Sequence, residues 1–359
     1  MCIKNYLQAL LIGLTAFSKI DCAVGQIIFE SPNPLTQEKF KTVDSAILAG
    51  EFGEIHSLLI VQNGKLIFEN YYNGWKADSL HQLQSATKSI VATLLGCAIK
   101  QGMIPSATAP ISNYYHSNLF KDALKKKIRI DDLLTQRHGL KWKEAPWDAP
   151  DNTWRKVLAT EGDWYQMILE TPMDTLPGTR FNYSNAAPVL TTGIIQKAAK
   201  MNIDSFAKRY LFDPLGIEQF HFWAGNGGPQ NNGMALLFLR SRDMAKIGQL
   251  YLQNGQWDNQ EIMPAQFVKD ATSAKVKHVE PNGVYSGYDY GYFWWSNPVW
   301  RKAVFTKPIN AFLARGAGGQ NIIVYPEKNL VVVTTAWNMQ APNKPQEIFD
   351  KYILGLMNE

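Results

Sequence analysis

The two stretches of clear β-pattern in this chain lie at its opposite ends, and that separation constrains the fold more than any other feature. Near the start, Ser57–Gln62 is an apolar run, Asn63-Gly64 follows, and Lys65–Tyr72 resumes the β-prone pattern. Asn-Gly between two such runs is the strongest short hairpin signal, because both turn positions need a positive φ. At the far end Asn321–Tyr325, a turn at Pro326–Asn329 and Leu330–Trp337 repeat the arrangement, and a helical pattern follows over Gln346–Met357. Tyr290–Ser296 reads as a further strand, and Thr36–Leu48 as a helix with Phe40, Val43 and Ile47 on one face. A lone hairpin is marginal in water, so the two ends are expected to share one sheet.

The long interval between them is mostly helical in pattern, broken by Pro and Gly: Ala86–Gln101, Ile130–Thr135, Asp163–Glu170, Ala187–Ala199, Ser205–Leu211, Ser241–Asn254 and Pro264–Thr272. No Gly/Ser linker, repeat or low-complexity tract divides it. The expected fold class is therefore α/β (α+β): an antiparallel sheet flanked by helices, built from both chain ends, with an inserted all-helical lobe. The sheet-bearing part should cover about 26–84 and 285–359, and the helical part about 85–284, together one domain with a cleft at the junction. A chain of 359 residues, 46% hydrophobic and 19% charged, carries enough apolar material for such a core and excludes a disordered or fibrous class. The net charge of +5 is scattered, and its one basic run, Lys125–Lys127, reads as a solvated helix end, so nothing points to nucleic acid.

The first residues read as an address. Lys4 precedes a mostly apolar run, Leu7–Phe17, too short for a spanning helix, which needs about 20 apolar residues. A basic start, a short apolar core and small residues at Ala23-Val24-Gly25 match a secretory signal, residues 1–25, cut before Gln26. Lipid anchoring at Cys22 is the alternative, though Lys19-Ile20-Asp21 fits it poorly. Cleavage leaves Cys97 alone, so an exported (periplasmic or secreted) chain would have no internal disulfide, and no stable membrane span is expected.

Several chemistries lack their signatures. The six histidines never come closer than 22 residues in sequence, and no His-Glu-x-x-His or Cys-x-x-Cys spacing exists, so a metal site has little support. Neither a dinucleotide nor a Walker-type glycine loop occurs, and no Gly-x-Ser-x-Gly elbow. No cofactor is implied. What remains is Ser85-Ala86-Thr87-Lys88. Residues three apart on a helix share a face, so the lysine amine can take the serine proton, provided it is neutral. Bringing a lysine from about 10.4 towards 7 requires burial or neighbouring positive charge. Ile90, Val91, Leu94, Leu95, Cys97 and Ala98 make the following helix apolar all round, which is the dry setting required. A second match, Ser205–Lys208, starts an amphipathic helix and reads as cap or surface. Tyr183-Ser184-Asn185 offers a phenol able to relay a proton and an amide able to orient the lysine or a carbonyl; capping of the next helix is the plainer alternative.

These motifs, with longer ordered stretches, resemble the serine β-lactamase and penicillin-binding-protein superfamily in its class C-related branch. Ser85–Lys88 is similar to the first motif, Ile128–Leu140 to the segment after the nucleophile helix, and Pro177–Asn185 to the second motif with its lead-in. Leu211–Ile217, Ser241–Gly248 and Tyr290–Trp295 also resemble the branch. The resemblance runs from about residue 40 to 357. It implies Ser85 as acyl-accepting nucleophile, Lys88 and Tyr183 as the proton-handling pair, and Asn185 as a positioning and substrate-binding group. The third motif departs from the family's Lys-Thr-Gly or His-x-Gly: Ala314-Arg315-Gly316-Ala317-Gly318-Gly319-Gln320 stands there. Its cationic position is alanine, with Arg315 as a possible substitute, and the Ala317 N–H after Gly316 is the expected second oxyanion donor. That form is similar to the esterase and 6-aminohexanoate-dimer hydrolase members. The expected function is thus a serine hydrolase acting through an acyl-enzyme on a small ester, amide or peptide substrate. A β-lactamase or D,D-peptidase is one alternative and a non-catalytic binding module on the same fold another. Trp142, Trp147, Trp154 and Trp164 either line a pocket or pack the core, and His138 reads as structural because the base role is filled.

Overall fold

The computed structural model describes residues 27–30, 34–223, 236–279, 287–296, 309–341 and 344–357. The proposed leader, its cleavage point and Cys22 fall outside these. The strands of the main sheet, numbered along the chain, are β1 (Ile55–Gln62), β2 (Lys65–Tyr71), β3 (Asp289–Tyr290), β4 (Trp295–Ser296), β5 (Phe312–Gly316), β6 (Gln320–Tyr325) and β7 (Leu330–Ala336). They form one sheet in the order β2-β1-β7-β6-β5-β4-β3, with every pair antiparallel. β1 lies directly beside β7, Leu59 opposite Val333 and Ile60 opposite Val332, so the two ends of the chain are sewn together within the sheet, one strand in from its edge. The β1–β2 turn is the expected one: Asn63 and Gly64 have φ of 51° and 71°, the handedness that suits the twist of flanking strands.

Helices of eight residues or more among the described residues are α1 (Lys41–Leu48), α2 (Thr87–Lys100), α3 (Ala186–Ala199), α4 (Ser241–Leu252) and α5 (Ala265–Thr272). β1 and β7 are buried along nearly their whole length, which explains why both read as continuous apolar runs rather than alternating ones. Helix α4 lies across β1, β6 and β7. There a Cβ on Gly248 would come within 2.5 Å of Val331 and 2.9 Å of Ile322. Sequence pattern alone assigns α4 to the helical part; its packing puts it in the sheet layer, because its apolar stripe faces the strands. The helical segment 344–356, with a π-helical turn at Phe349–Ile353, packs on β7.

The helical lobe is organised around α2, whose residues from Thr87 to Ala98 are all buried. It packs on α3 and on α5, where a Cβ on Gly96 would sit 2.8 Å from the Phe267 ring. Each buried Val, Ile or Leu on α2 contributes about 1.5–3 kcal/mol. Burial here has a second effect: it fixes the helix that carries Lys88, and the turn with Ser85 that leads into it, at the seam between lobe and sheet. Cys97 is fully buried on it, and burial pushes the thiol up to about 12, which makes it packing rather than chemistry.

Three elements differ from the sequence expectation. Tyr290–Ser296 is a tight hairpin of two two-residue strands, not one strand, with Phe293 in the left-handed region at φ 57°. Its turn is held by Ser89 Oγ, which donates to the Phe293 carbonyl at 2.6 Å. Strand β5 has no alternating signature in the sequence and emerges only as the partner of β6. A small sheet of His81–Gln82, Leu236–Leu239 and His221–Trp223 was also not legible.

Candidate active site

Ser85 sits in a 3-10 turn, Gln84–Ala86, that runs straight into α2. Lys88, in the first turn of α2, is only 4% exposed. Its Nζ donates to Ser85 Oγ at 3.3 Å and to Asn185 Oδ1 at 2.6 Å, and lies 4.8 Å from the centre of the Tyr183 ring. The structure thus brings together Ser85, Lys88, Tyr183 and Asn185, which are 98 residues apart in sequence between Ser85 and Tyr183. Burial pulls the Lys88 amine down to about 8, while the nearby Glu144 carboxylate pulls it the other way. An amine at that value has a substantial neutral fraction near neutral pH, and a neutral amine can take a hydroxyl proton.

Asn185 stands at the N-cap position of α3, but its side chain makes no capping bond. Oδ1 instead accepts from Lys88, and Nδ2 donates to Glu144 Oε2 at 2.8 Å. The middle residue of the motif, Ser184, is fully buried and clamped. Its N–H and Oγ both donate to Gln136 Oε1, at 3.1 and 3.0 Å, and its carbonyl accepts from Gln136 Nε2 at 3.1 Å. His138 completes the clamp: its Nδ1 accepts from the Leu140 N–H at 3.1 Å, so its Nε2–H donates to Ser184 Oγ at 3.0 Å. Both ring nitrogens are committed, and burial lowers the imidazole to about 4. His138 is a strut, as its surroundings in the sequence indicate. Tyr183 stands against Trp295 and Tyr290, ring centres 5.5 and 6.4 Å away, so the short β3–β4 hairpin forms the wall behind the phenol.

The third motif falls at the end of β5. Gly316 pairs with Gln320 across the β5–β6 hairpin, and Ala317, Gly318 and Gly319 form the loop. A Cβ on Gly316 would lie 2.2 Å from the Leu83 carbonyl oxygen and 3.0 Å from Gln84 Cβ. The end of β5 therefore touches the turn that carries Ser85, with Ala317 next along the chain. Side chains alternate along a strand, so Ala314 shares the face of Gly316 and Arg315 points to the other. There Arg315 is buried over the Tyr288 ring, its guanidinium carbon 5.5 Å from the ring centre. That placement removes it as the substitute for the family's cation.

Of the tryptophans, Trp154 and Trp164 pack edge to face at 5.6 Å in the buried lobe, and Trp147 is exposed. Trp142 is buried, and its Nε1 donates to Glu144 Oε1 at 2.6 Å. Ser205 and Lys208 of the second Ser-x-x-Lys are exposed, and Lys208 pairs with Asp213. Two functional-site neighbours, Gln136 and Glu144, were not singled out in the sequence; only their nearness to the motifs in space reveals them. Among the described residues no group of three or more His, Cys, Asp or Glu is arranged to hold a metal ion, and no helix is long and apolar enough to cross a membrane.

An antiparallel sheet with an inserted helical lobe, and a serine and buried lysine at the seam, define a hydrolase of the β-lactamase class. The chain belongs to the Beta-lactamase family, whose model matches residues 56–352. It is 21% identical over 308 residues to a 6-aminohexanoate-dimer hydrolase of Paenarthrobacter ureafaciens, covering 77% of this chain and 71% of that protein. The octameric penicillin-binding protein homologue of Pyrococcus abyssi shares the fold with a TM-score of 0.67 at 19% identity, covering 90% of this chain and 77% of that one. EstCE1, a hydrolase with promiscuous acyltransferase activity, matches with a TM-score of 0.67 at 16% identity, over 88% of this chain and 97% of its own.

Proposed function

We propose that this protein is a serine hydrolase that cleaves a small ester or amide through an acyl-enzyme. Ser85 Oγ attacks the substrate carbonyl carbon while neutral Lys88 takes the hydroxyl proton. The carbonyl oxygen becomes an oxyanion, held by the N–H groups of Ser85 and Ala317. Collapse expels the alcohol or amine, which receives the proton by way of Tyr183, and leaves the acyl group on Ser85. Water then attacks the acyl carbonyl, gives up its proton to the same pair, and releases the acid and free Ser85. The observation that carries this reading is the buried Lys88 amine within hydrogen-bonding distance of Ser85 Oγ. A lysine kept out of water with no carboxylate in direct contact among the described residues is costly for a fold to keep, and its benefit is a base that works well below the usual lysine range.

The choice of ester or amide rests on Ala314. A lysine or histidine there would hold the carboxylate of a β-lactam or a D-Ala-D-Ala peptide; alanine cannot, and Arg315 faces away. The naming of one relative as a 6-aminohexanoate-dimer hydrolase and another as a hydrolase with acyltransferase activity supports the same side. Export after removal of residues 1–25 remains part of the proposal, and the N-terminal sequence of the mature protein tests it.

The decisive experiment is acylation by a fluorophosphonate probe, with turnover of p-nitrophenyl esters, amides and a chromogenic cephalosporin. Labelling and ester turnover that vanish in Ser85→Ala are expected. Labelling retained in that variant would sink the assignment, and cephalosporin turnover matching that of the ester would promote the β-lactamase reading. A wild-type chain that neither reacts nor turns over would be a binding module.

A further inference from the structure

Glu144 belongs to none of the family motifs quoted above, yet its carboxylate is the hub of the site's hydrogen bonds. Oε1 accepts from Trp142 Nε1 and from the backbone N–H of Asn185, and Oε2 accepts from Asn185 Nδ2. We infer that Glu144 is a positioning residue for the Ser85–Lys88 pair, acting through Asn185; the inference rests on the hydrolase reading above.

The argument begins with the ambiguity of an asparagine amide. Its two ends are nearly the same shape, one donating and one accepting, and the partners decide which faces which way. A carboxylate can only accept. With Glu144 at one end, Nδ2 must turn towards it, and Oδ1 is left for Lys88 Nζ at 2.6 Å. That choice matters for a neutral amine, which has two hydrogens and one lone pair. Fixing one N–H on Asn185 Oδ1 restricts where the lone pair points, and Ser85 Oγ is 3.3 Å away. A flipped amide would present Nδ2 to the amine, and the lone pair would be spent on Asn185 instead of on the serine.

The loop bearing Glu144 is built to hold it. Asn152, buried, caps the helix Thr153–Leu158 by accepting from the Arg155 N–H with Oδ1, and its Nδ2 donates to the Glu144 carbonyl at 2.7 Å and to Pro146 at 3.2 Å. One asparagine thereby ties the loop to a helix start. The carboxylate also acts through its charge. The groups that face Lys88 are Ser85 on the turn that leads into its helix, Tyr183 and Asn185 ahead of α3, and Glu144. Of these Glu144 alone is an anion that opposes the effect of burial on the amine. Burial raises the Glu144 carboxyl above its ordinary value. The nearby Lys88 amine and the donors Trp142 and Asn185, which make all three of its described polar contacts, act in the opposite direction and favour the ionised form.

The test is the pH dependence of kcat/KM for a p-nitrophenyl ester between pH 5 and 10, in the full chain. In Glu144→Gln the value at the optimum should fall by about tenfold to a hundredfold, and the acid limb should move to lower pH by about one unit, because an opposite charge has been removed from the amine. Glu144→Asp keeps the charge and should keep the limb within a fraction of that shift, with a smaller loss in rate. Glu144→Gln added to Asn185→Ala should cost little more than Asn185→Ala alone, since the two act as a unit. An unmoved limb in Glu144→Gln, a limb moved in Glu144→Asp, or additive losses would each overturn the proposal. Should Glu144→Gln not fold, the Asp variant and the Asn185→Ala pairing with it decide alone. Failure of the hydrolase reading is a different result: wild-type protein that takes no fluorophosphonate, or Ser85→Ala that still does.

Discussion

A lysine can accept a serine proton only in its neutral form, so the environment of Lys88 fixes the pH at which the site works. Burial sets the amine at about 8. Below that value the neutral fraction shrinks about tenfold per pH unit, so kcat/KM should rise with pH through about 8 and then level until another group titrates. A pH–rate profile on an uncharged ester checks this, and a limb centred near the usual lysine value would contradict it. Lys88→Arg cannot be neutral at any working pH, and should lose about 1,000-fold in kcat while leaving Ser85 in place. Gly316 tests the other side of the nucleophile. Alanine there would drive its Cβ to 2.2 Å from the Leu83 carbonyl, and backbone cannot step aside cheaply. The end of β5 must back away from the turn carrying Ser85. We expect Gly316→Ala to lose about 100-fold in kcat at a stability cost of about 1–3 kcal/mol, read from initial rates and thermal melts on the same preparation. A variant with wild-type kcat would show that β5 plays no part in the chemistry.

At the scale of elements, the second motif is a loop made rigid by its neighbours. Gln136, itself at φ 57°, spends both ends of its amide on Ser184, and its carbonyl accepts the Asn182 N–H at 2.8 Å. Gln136→Ala strands buried donors and acceptors on Ser184, a cost of about 1–3 kcal/mol, and should lower kcat more than it raises KM, because Tyr183 and Asn185 lose their fixed position. Equal activity with lowered melting temperature would limit Gln136 to stability. This clamp also shows what a sequence conveys. Ser85 and Lys88 could be read because helix periodicity is local and the apolar run after them announces burial; the hairpins could be read because Asn-Gly and Pro-x-x-Asn are turn chemistry. Gln136, His138 and Glu144 act across 41 or more residues on a loop, and no local period encodes that. Strand β5 escaped for a related reason: a five-residue strand buried throughout, with an arginine stacked on Tyr288, has no alternation to detect. His56 and His81, 25 residues apart, meet as a buried pair at 2.7 Å, a contact that their spacing could not suggest.

The whole molecule answers to pH through groups it holds neutral. His138 in the helical lobe and His81 beside the sheet are both buried, and burial lowers each to about 4 from an ordinary 6.5. In the unfolded chain both take up a proton as pH falls through 6.5, whereas the folded chain resists until about 4. Between those values the unfolded state binds more protons, so stability is full above about pH 6.5 and declines as pH falls towards 4. A shift of that size is worth roughly 3 kcal/mol for each imidazole at its limit, a large share of the 5–15 kcal/mol that holds a typical domain. His138→Gln isolates half of this. Its amide can donate to Ser184 Oγ and accept from the Leu140 N–H, but it has no proton to gain, so its melting temperature should fall less steeply than that of wild type between pH 6.5 and 4.5. Scanning calorimetry of both proteins at matched ionic strength measures the two slopes, and parallel slopes would remove His138 from the account. On the proposed mechanism activity should fall on the acid side because Lys88 is protonated, and the fold should weaken further down because His81 and His138 are forced to be. Both limits leave mildly alkaline pH, from about 8 upward, as the range where the proposed site should be most active while both imidazoles stay neutral in the folded and unfolded chain alike.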